Sequence, residues 1–359
     1  MTDLVKAFTG ANIPLEKVNC ESLRKFFNKH VRNGGAIPKA NTLRSEYVGK
    51  VYEEHMADIK ELIGDRPVAI CVDETTDVKQ RYVLNILAKP LNASTNEDFF
   101  LIDTVFLEKC DNSTVSQAVI KSLTDFGIDF DQVRAFISDS AGYMIKAFRD
   151  VLSKLFTRAE HVTCWAHILH LVGEAFRNSF SEVDDMVSLM KKLLSKSPAR
   201  KIRYLQYLEE SHVKKPSLCP EPVVTRWGTW LNACVYHSKH IELYQEFVLR
   251  ELKICTTKVL VSLRKLFEES LTALKEDLEF IALHAPRFMQ TLFTLEKSEL
   301  LLSDTYDIAS DFLTFLKSDV GVNEEKHRNA LSSAATKLSL YIQEKHPALP
   351  FLRAARVTL

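Results

Sequence analysis

The chain has 359 residues, of which 46% are hydrophobic and 26% charged, as in an ordinary globular protein. Lysine plus arginine and aspartate plus glutamate both number 47, so any surface that binds nucleic acid must be local. Scattered cysteines exclude a disulfide scaffold, and the absence of a long apolar run or a signal peptide leads us to expect an intracellular protein with no membrane partner.

Residues 1–63 are predicted to form a helical segment, because apolar residues recur at helical spacing on both sides of a break at residues 33–35. Basic residues cluster in this segment. A solvated helix face and a contact with nucleic acid explain that cluster equally well. The cluster consists of Arg24, Lys25, Lys29, His30, Arg32, Lys39 and Arg44.

Residues 64–180 change to a strand pattern. Apolar runs at 68–72, 82–88 and 99–107 predict three antiparallel strands joined by short loops. A helix with capping-box spacing between Thr114 and Gln117 follows and ends at Gly127. Strands at 133–138 and 161–164 then alternate with helices at 141–156 and 165–180. This order predicts a mixed sheet with right-handed crossovers, the arrangement of the first part of a ribonuclease-H-like core.

Residues 181–359 are predicted to be helical nearly to the end, with loops at 216–222 and 321–323. The last two helices are predicted at 303–315 and 324–345. The predicted fold class is therefore α/β plus all-α: an incomplete ribonuclease-H-like mixed sheet followed by a helical domain.

Two aspartates follow the predicted strands that would lie side by side in such a sheet. Asp73 ends the first predicted strand and Asp139 ends the fourth. Converging carboxylates can hold divalent cations such as Mg²⁺, which activate water and stabilise the leaving oxygen in phosphodiester cleavage. The alternative is that each is a strand-end residue, with Asp139 capping the next helix.

Four motifs occur together in one chain order. They are residues 71–77 (CVDETTD), 136–141 (FISDSA), 164–171 (CWAHILHL) and 225–227 (TRW). This set resembles the hAT transposase superfamily, in which two acids of the catalytic set precede a Cys-x-x-His motif and an Arg-Trp motif. The resemblance implies that Asp73 and Asp139 match the first two catalytic acids. It also implies that Cys164, His167, Arg226 and Trp227 match motifs at the active site and at the entry to a helical insertion domain.

The N-terminal segment carries a second resemblance. Residues 11–17 (ANIPLEK) and 30–39 (HVRNGGAIPK) resemble the CGG triplet repeat-binding protein, which is itself similar to hAT-derived sequences. In that protein the segment lies downstream of a BED-type zinc finger, and no such finger precedes it here.

The third acid implied by the transposase resemblance is a glutamate in a Ser-Glu-Arg-like segment beside the dimerisation region, and no such segment is found before Leu359. Losing one acid of a metal cluster costs orders of magnitude in rate, so the resemblance implies a vestigial site. Glu174 and Glu279 are alternative third acids that match no motif. No cofactor is expected in the chain as it stands, and an oligomer is doubtful.

Three further patterns have more than one interpretation. Cys164, His167 and His170 suggest zinc binding, a Cys-His nucleophile, or simple packing on one helix face. Trp227 and Trp230 share a helix face, which suggests either a packed helix start or, beside Arg226, base stacking as the family implies. A basic strip lies either on a solvated helix or against DNA phosphates. The strip extends from Lys191 to Lys215, and the members predicted to bind DNA are Lys191, Lys192, Arg200 and Lys201.

The sequence therefore predicts a catalytically inactive, hAT-derived nuclear protein with residual non-specific DNA binding. One alternative is a protein-interaction scaffold or transcriptional regulator whose helical region binds protein partners without contacting DNA. Another is an active transposase whose gene was read incompletely. The predicted domains are 1–63, 64–180 and 181–359.

Overall fold

The computed structural model describes residues 1–32, 35–91, 99–223, 227–297, 302–318 and 324–343. The chain divides into two compact units, Met1–Ala159 and Glu160–Leu359. The domain boundaries predicted after residues 63 and 180 remain predictions.

The first unit begins with four helices: α1 (Thr2–Gly10), α2 (Glu21–His30), α3 (Ala40–Leu43) and α4 (Gly49–Ile63). A 3-10 turn, Leu15–Asn19, follows α1, and a π-helical turn, Arg44–Val48, joins α3 to α4. Val5, Phe8, Val18 and Leu43 pack together as a small core that turns away from solvent. In contrast, no residue of α2 is buried, so this helix lies on the surface.

Five strands between residues 68 and 163 form a mixed sheet. The strands are β1 (Val68–Thr76), β2 (Tyr82–Pro90), β3 (Phe100–Leu107), β4 (Val133–Ser138) and β5 (Glu160–Thr163). Their order across the sheet is β3-β2-β1-β4-β5. β2 pairs antiparallel with β1 and β3, whereas β4 pairs parallel with β1. The predicted antiparallel meander and mixed sheet are confirmed.

Helices α5 (Asn112–Phe126) and α6 (Gly142–Asp150) pack on this sheet. The predicted capping box of α5 was wrong by one turn. Asp111, not Thr114, is the N-cap: its carboxylate accepts hydrogen bonds from the amides of Ser113 and Thr114 at 3.0 and 2.9 Å, and Thr114 Oγ1 accepts from the Asp111 amide. The hydrogen bond from Lys109 and these amides lower the pKa of Asp111 to about 2.

The helix predicted at 141–156 is shorter than expected. It ends at Asp150, where Val151 leaves the helical region and a 3-10 turn, Leu152–Lys154, follows. The apolar residues Leu152 and Phe156, whose spacing suggested one long helix, are buried against the sheet and hold this turn in place.

The second unit is a bundle of helices. They are α7 (Trp165–Arg177), α8 (Ser181–Leu194), α9 (Pro198–Glu210), α10 (Trp227–Ile254), α11 (Lys258–Leu295), α12 (Leu302–Leu316) and α13 (Glu325–Ile342). Phe176, Phe180, Phe280 and Phe288 form the aromatic centre of its core. The longest helix, α11, contains Pro286. Within the described part of the chain, no helix combines the length and apolar character needed to cross a bilayer.

Candidate functional site

The pairing of β1 with β4 bears on the predicted approach of Asp73 to Asp139. β1 and β4 pair in parallel through Ala69↔Ala135, Ile70↔Phe136 and Cys71↔Ile137. This pairing ends two residues before Asp73 and two residues before Asp139. Neighbouring strands lie about 4.8 Å apart, and the sharing of a cation by these two carboxylates stays a prediction.

The two aspartates differ in their local setting. Asp139 directly follows β4, as predicted, and is half-buried, whereas Asp73 is exposed and lies inside β1, which continues to Thr76. Asp139 Oδ1 accepts the amide of Ala141 at 3.0 Å, and Ala141 is the N-cap of α6. Asp139 therefore shapes the turn before the helix and is not itself the N-cap.

A tyrosine of α6 and a glutamate of β1 meet, and sequence reasoning missed this contact. Tyr143 Oη donates to Glu74 Oε2 at 2.9 Å. Burial, followed by this hydrogen bond to Glu74, raises the pKa of Tyr143, and burial raises the pKa of the nearby Cys110 thiol. No local pattern could have signalled a contact between residues so far apart in sequence.

Cys164 and His167 lie at the start of α7, where Cys164 is the N-cap. Burial would raise the pKa of the Cys164 thiol, but hydrogen bonds from His167 and from backbone amides outweigh burial and lower it. Burial lowers the pKa of His170. The rings of His167 and His170 have centroids 5.9 Å apart, as expected for two side chains on one face of a helix.

The basic strip is partly engaged within the protein. Lys191 Nζ donates to the carbonyl of Pro222 at 3.0 Å. Arg200 donates from Nε to Glu251 Oε2 at 2.9 Å and has a side chain only 12% exposed. Lys192 is exposed and Lys201 half-buried. Of the four strip residues predicted to bind DNA, Lys192 and Lys201 are therefore the best placed to reach a phosphate.

Arg226 lies outside the described residues. Trp227 is the first residue of α10, and its side chain is likewise outside the described part of the structure. Trp230 is 1% exposed, and the guanidinium carbon of Arg177 lies 5.2 Å from the centroid of its ring. Trp230 is thus a packed residue of the helix start.

The surface of α2 combines an aromatic ring with basic side chains. Phe26 is 55% exposed and its ring lies against His30, with centroids 4.9 Å apart. Lys29 and Arg32 are exposed beside it. Arg24 instead donates to the carbonyls of Ile37 and Pro38 at 3.0 and 2.9 Å, so it holds the following loop. Cations beside an exposed aromatic ring can bind phosphate and stack on a base.

Comparison with known proteins matches this same part of the chain. Residues 1–50 match the CGGBP1 helical domain family. The CGG triplet repeat-binding protein 1 of Mus musculus and that of Homo sapiens are each 49% identical over 51 residues, which are 14% of this chain and 30% of each relative. The resemblance predicted for the N-terminal segment is confirmed over this range. The chain thus shares less than a third of the length of these relatives.

Proposed function

We propose that this chain is a DNA-binding nuclear protein of hAT transposase origin, whose ribonuclease-H-like core does not cleave DNA. The observation that carries the proposal is the match of residues 1–50 to relatives whose name states that they bind CGG triplet repeats. The nucleus is the compartment in which such a protein would meet its DNA.

The exposed face of α2 supports a contact with the phosphate backbone. Lys29 lies on α2, which has no buried residue, and Arg32 is exposed two residues after this helix ends, so both can approach a duplex without unfolding the domain. Phosphate contacts supply affinity but carry no sequence information, so the binding proposed here is non-specific. Because the chain carries 47 basic and 47 acidic residues, binding should be weak at physiological salt.

The sheet supports the transposase origin. Strand order β3-β2-β1-β4-β5 with β4 parallel to β1 is the arrangement expected of a ribonuclease-H-like core, and the four hAT-like motifs follow it in order. Asp73 and Asp139 would hold Mg²⁺ in such a core. Among the described residues, the one group of three or more closely spaced candidate ligands lies elsewhere, at Asp277, Glu324 and His327. The inactive state proposed here follows from the need for further acidic ligands in two-metal cleavage.

A salt titration tests the proposed DNA binding. Binding of a random-sequence duplex to the full chain is measured by fluorescence anisotropy for the wild type and a Lys29→Gln/Arg32→Gln variant. Each lost phosphate contact lowers the slope of log K against log salt by about 0.9, so the double variant should lose roughly 1.8 units. A Lys258→Gln/Lys265→Gln variant removes two exposed charges from α11 and should keep the wild-type slope.

The outcomes separate the rival functions. An unchanged slope in the α2 variant, with a reduced one in Lys192→Gln/Lys201→Gln, would move the contact to the basic strip. No binding at low salt would overturn the proposal and favour a protein-interaction scaffold. A CGG-repeat duplex bound much more tightly than the random one would contradict non-specific binding.

A cleavage assay tests the proposal that the chain does not cleave DNA. Nicked and hairpin DNA are incubated with the full chain and Mg²⁺ or Mn²⁺, with an Asp73→Asn variant as the control. We expect no strand cleavage above background from either protein. Metal-dependent cleavage that disappears in Asp73→Asn would show an active site.

A further inference from the structure

A histidine and two carboxylates meet where the first turn of α13 packs against α11. One ligand atom from each of Asp277, Glu324 and His327 lies within 4.8 Å of the other two. Glu324 is the N-cap of α13 and His327 lies three residues later, a spacing that brings two side chains together at the start of a helix. Glu324 makes no capping hydrogen bond to its own helix, so its carboxylate is directed elsewhere.

The two inner ligands are held in place before any ion arrives. Asp277 and His327 are 1% and 3% exposed. The ring of His327 stacks on Phe280, with centroids 4.1 Å apart and planes 7° apart, and its Nε2 lies 3.1 Å from Asp277 Oδ1. Its buried Nδ1 has no hydrogen-bond partner. Such a fixed ring loses little conformational entropy on binding a metal.

The local charge favours a cation. Glu276 of α11 contacts Glu324. Three carboxylates, two from α11 and one from the N-cap of α13, therefore lie close together. Lys326 compensates part of this charge through its bond to Asp277 Oδ2. Asp277 Oδ1, on the side of His327, is a different oxygen from the one that Lys326 contacts.

We infer that Asp277 Oδ1, Glu324 and His327 Nε2 form a binding site for a divalent transition metal such as Zn²⁺, which ties α13 to α11. One nitrogen and two carboxylate oxygens suit zinc, and the exposed Glu324 leaves a path for the ion and room for a water as fourth ligand. Zinc-to-ligand distances of about 2.1 Å require ligand atoms roughly 3.4 Å apart. His327 Nε2 and Asp277 Oδ1, at 3.1 Å, already lie this close, so the exposed Glu324 is the side chain that has to adjust. Metal binding would replace the contact between His327 Nε2 and Asp277 Oδ1, and Lys326 would stay on Oδ2 to orient Asp277.

Metal titration of the full chain tests this inference independently of DNA binding. Co²⁺ is added alone, and its visible absorption is followed, because thiolate ligation by any of the seven cysteines would show as an intense charge-transfer band. We expect one equivalent to bind with the spectrum of nitrogen and oxygen ligands only. Zn²⁺ should displace it and raise the midpoint of thermal unfolding.

Three variants decide the result. Glu324→Gln removes an exposed ligand with little risk to folding, and His327→Gln removes the buried one; each should weaken Co²⁺ binding at least tenfold. Glu325→Gln makes the same charge change at the neighbouring exposed residue and should bind as the wild type does. Absent binding in the wild type, equal affinity in Glu324→Gln, or a thiolate band would overturn the site and leave Asp277 as a carboxylate neutralised by Lys326 and His327.

Discussion

At the scale of single residues, a buried carboxylate of the helical unit, Glu251, is paired with two arginines. Arg203 donates from Nε to one carboxylate oxygen at 2.6 Å, and Arg200 donates to the other at 2.9 Å. The Glu251 side chain is 2% exposed. Burial acts to raise the pKa of Glu251, but the bonds from Arg203 and Arg200 outweigh burial and lower it.

We expect Glu251→Gln to destabilise the helical unit by about 3 kcal/mol at neutral pH, because it leaves two arginines facing a neutral side chain in a poorly solvated place. Chemical unfolding measures this loss. Glu246→Gln is the matched control: Glu246 bonds Arg250 at the surface, with 61% of its side chain exposed, and its substitution should leave stability unchanged.

The pairing of Glu251 with the two arginines also makes the free energy of unfolding depend on pH. Because the pKa of Glu251 is lower in the folded state than in the unfolded chain, its contribution is full above the unfolded value of about 4.3. The contribution is lost as the pH falls through the folded value. The stability difference between wild type and Glu251→Gln should therefore shrink on acidification below about pH 4; a difference that stays constant or grows there would contradict this account.

The contacts of Arg200 show what sequence reasoning can miss at this scale. Charge counting identified Arg200 as part of a basic strip, but its partner Glu251 lies 51 residues away on another helix. The parallel pairing of β1 with β4, in contrast, could be anticipated, because a strand-helix-strand connection favours it.

At the scale of elements, the end of α5 requires a glycine. Gly127 has φ of +90°, and a Cβ atom built there would meet nothing within 4 Å. The helix end therefore requires a residue that adopts a positive φ, and the small size of glycine is not needed there. Gly142, in the first turn of α6, also has open space but lies in ordinary helical conformation.

We expect Gly127→Ala to destabilise the first unit by about 1 kcal/mol, because alanine is strained in the left-handed region. Gly142→Ala makes the same chemical change and should instead stabilise by about 0.5 kcal/mol, since it reduces the entropy of the unfolded chain. Urea midpoints of the two variants compare them directly. Shifts of the same sign would show that backbone conformation does not control this site.

Element types were predictable where periodicity was strong, and element ends were not. The β-branched runs located all five strands to within a few residues. The start of α5 was misassigned because Asp111, Asn112, Ser113 and Thr114 are all good capping residues, and only the Lys109 contact and the backbone path select Asp111. The split of the helix after Asp150 depends on burial of Leu152 against the sheet, which no local spacing reports.

At the scale of the whole molecule, the apolar cores are distinct. One lies within the helical unit and includes Phe176 and Phe288, whereas the sheet core includes Ile70 and Phe136. Chains with separate cores commonly unfold in more than one step.

We therefore expect calorimetry to resolve two unfolding transitions. Glu251→Gln should lower the midpoint of one transition and Gly127→Ala the midpoint of the other, because the two residues belong to different units. A single transition lowered by both substitutions would show that the units unfold as one.

Pro286 interrupts the backbone hydrogen bonding of α11. It stands inside α11 and has no amide hydrogen, so the carbonyl of Ala282 lacks the donor that every ordinary helical position supplies. Ala285 and Phe288 on either side of it are fully buried, so packing restrains the chain where the backbone ladder is broken. If the 38-residue helix α11 bends, we expect the bend to be at Pro286, where one backbone hydrogen bond is missing.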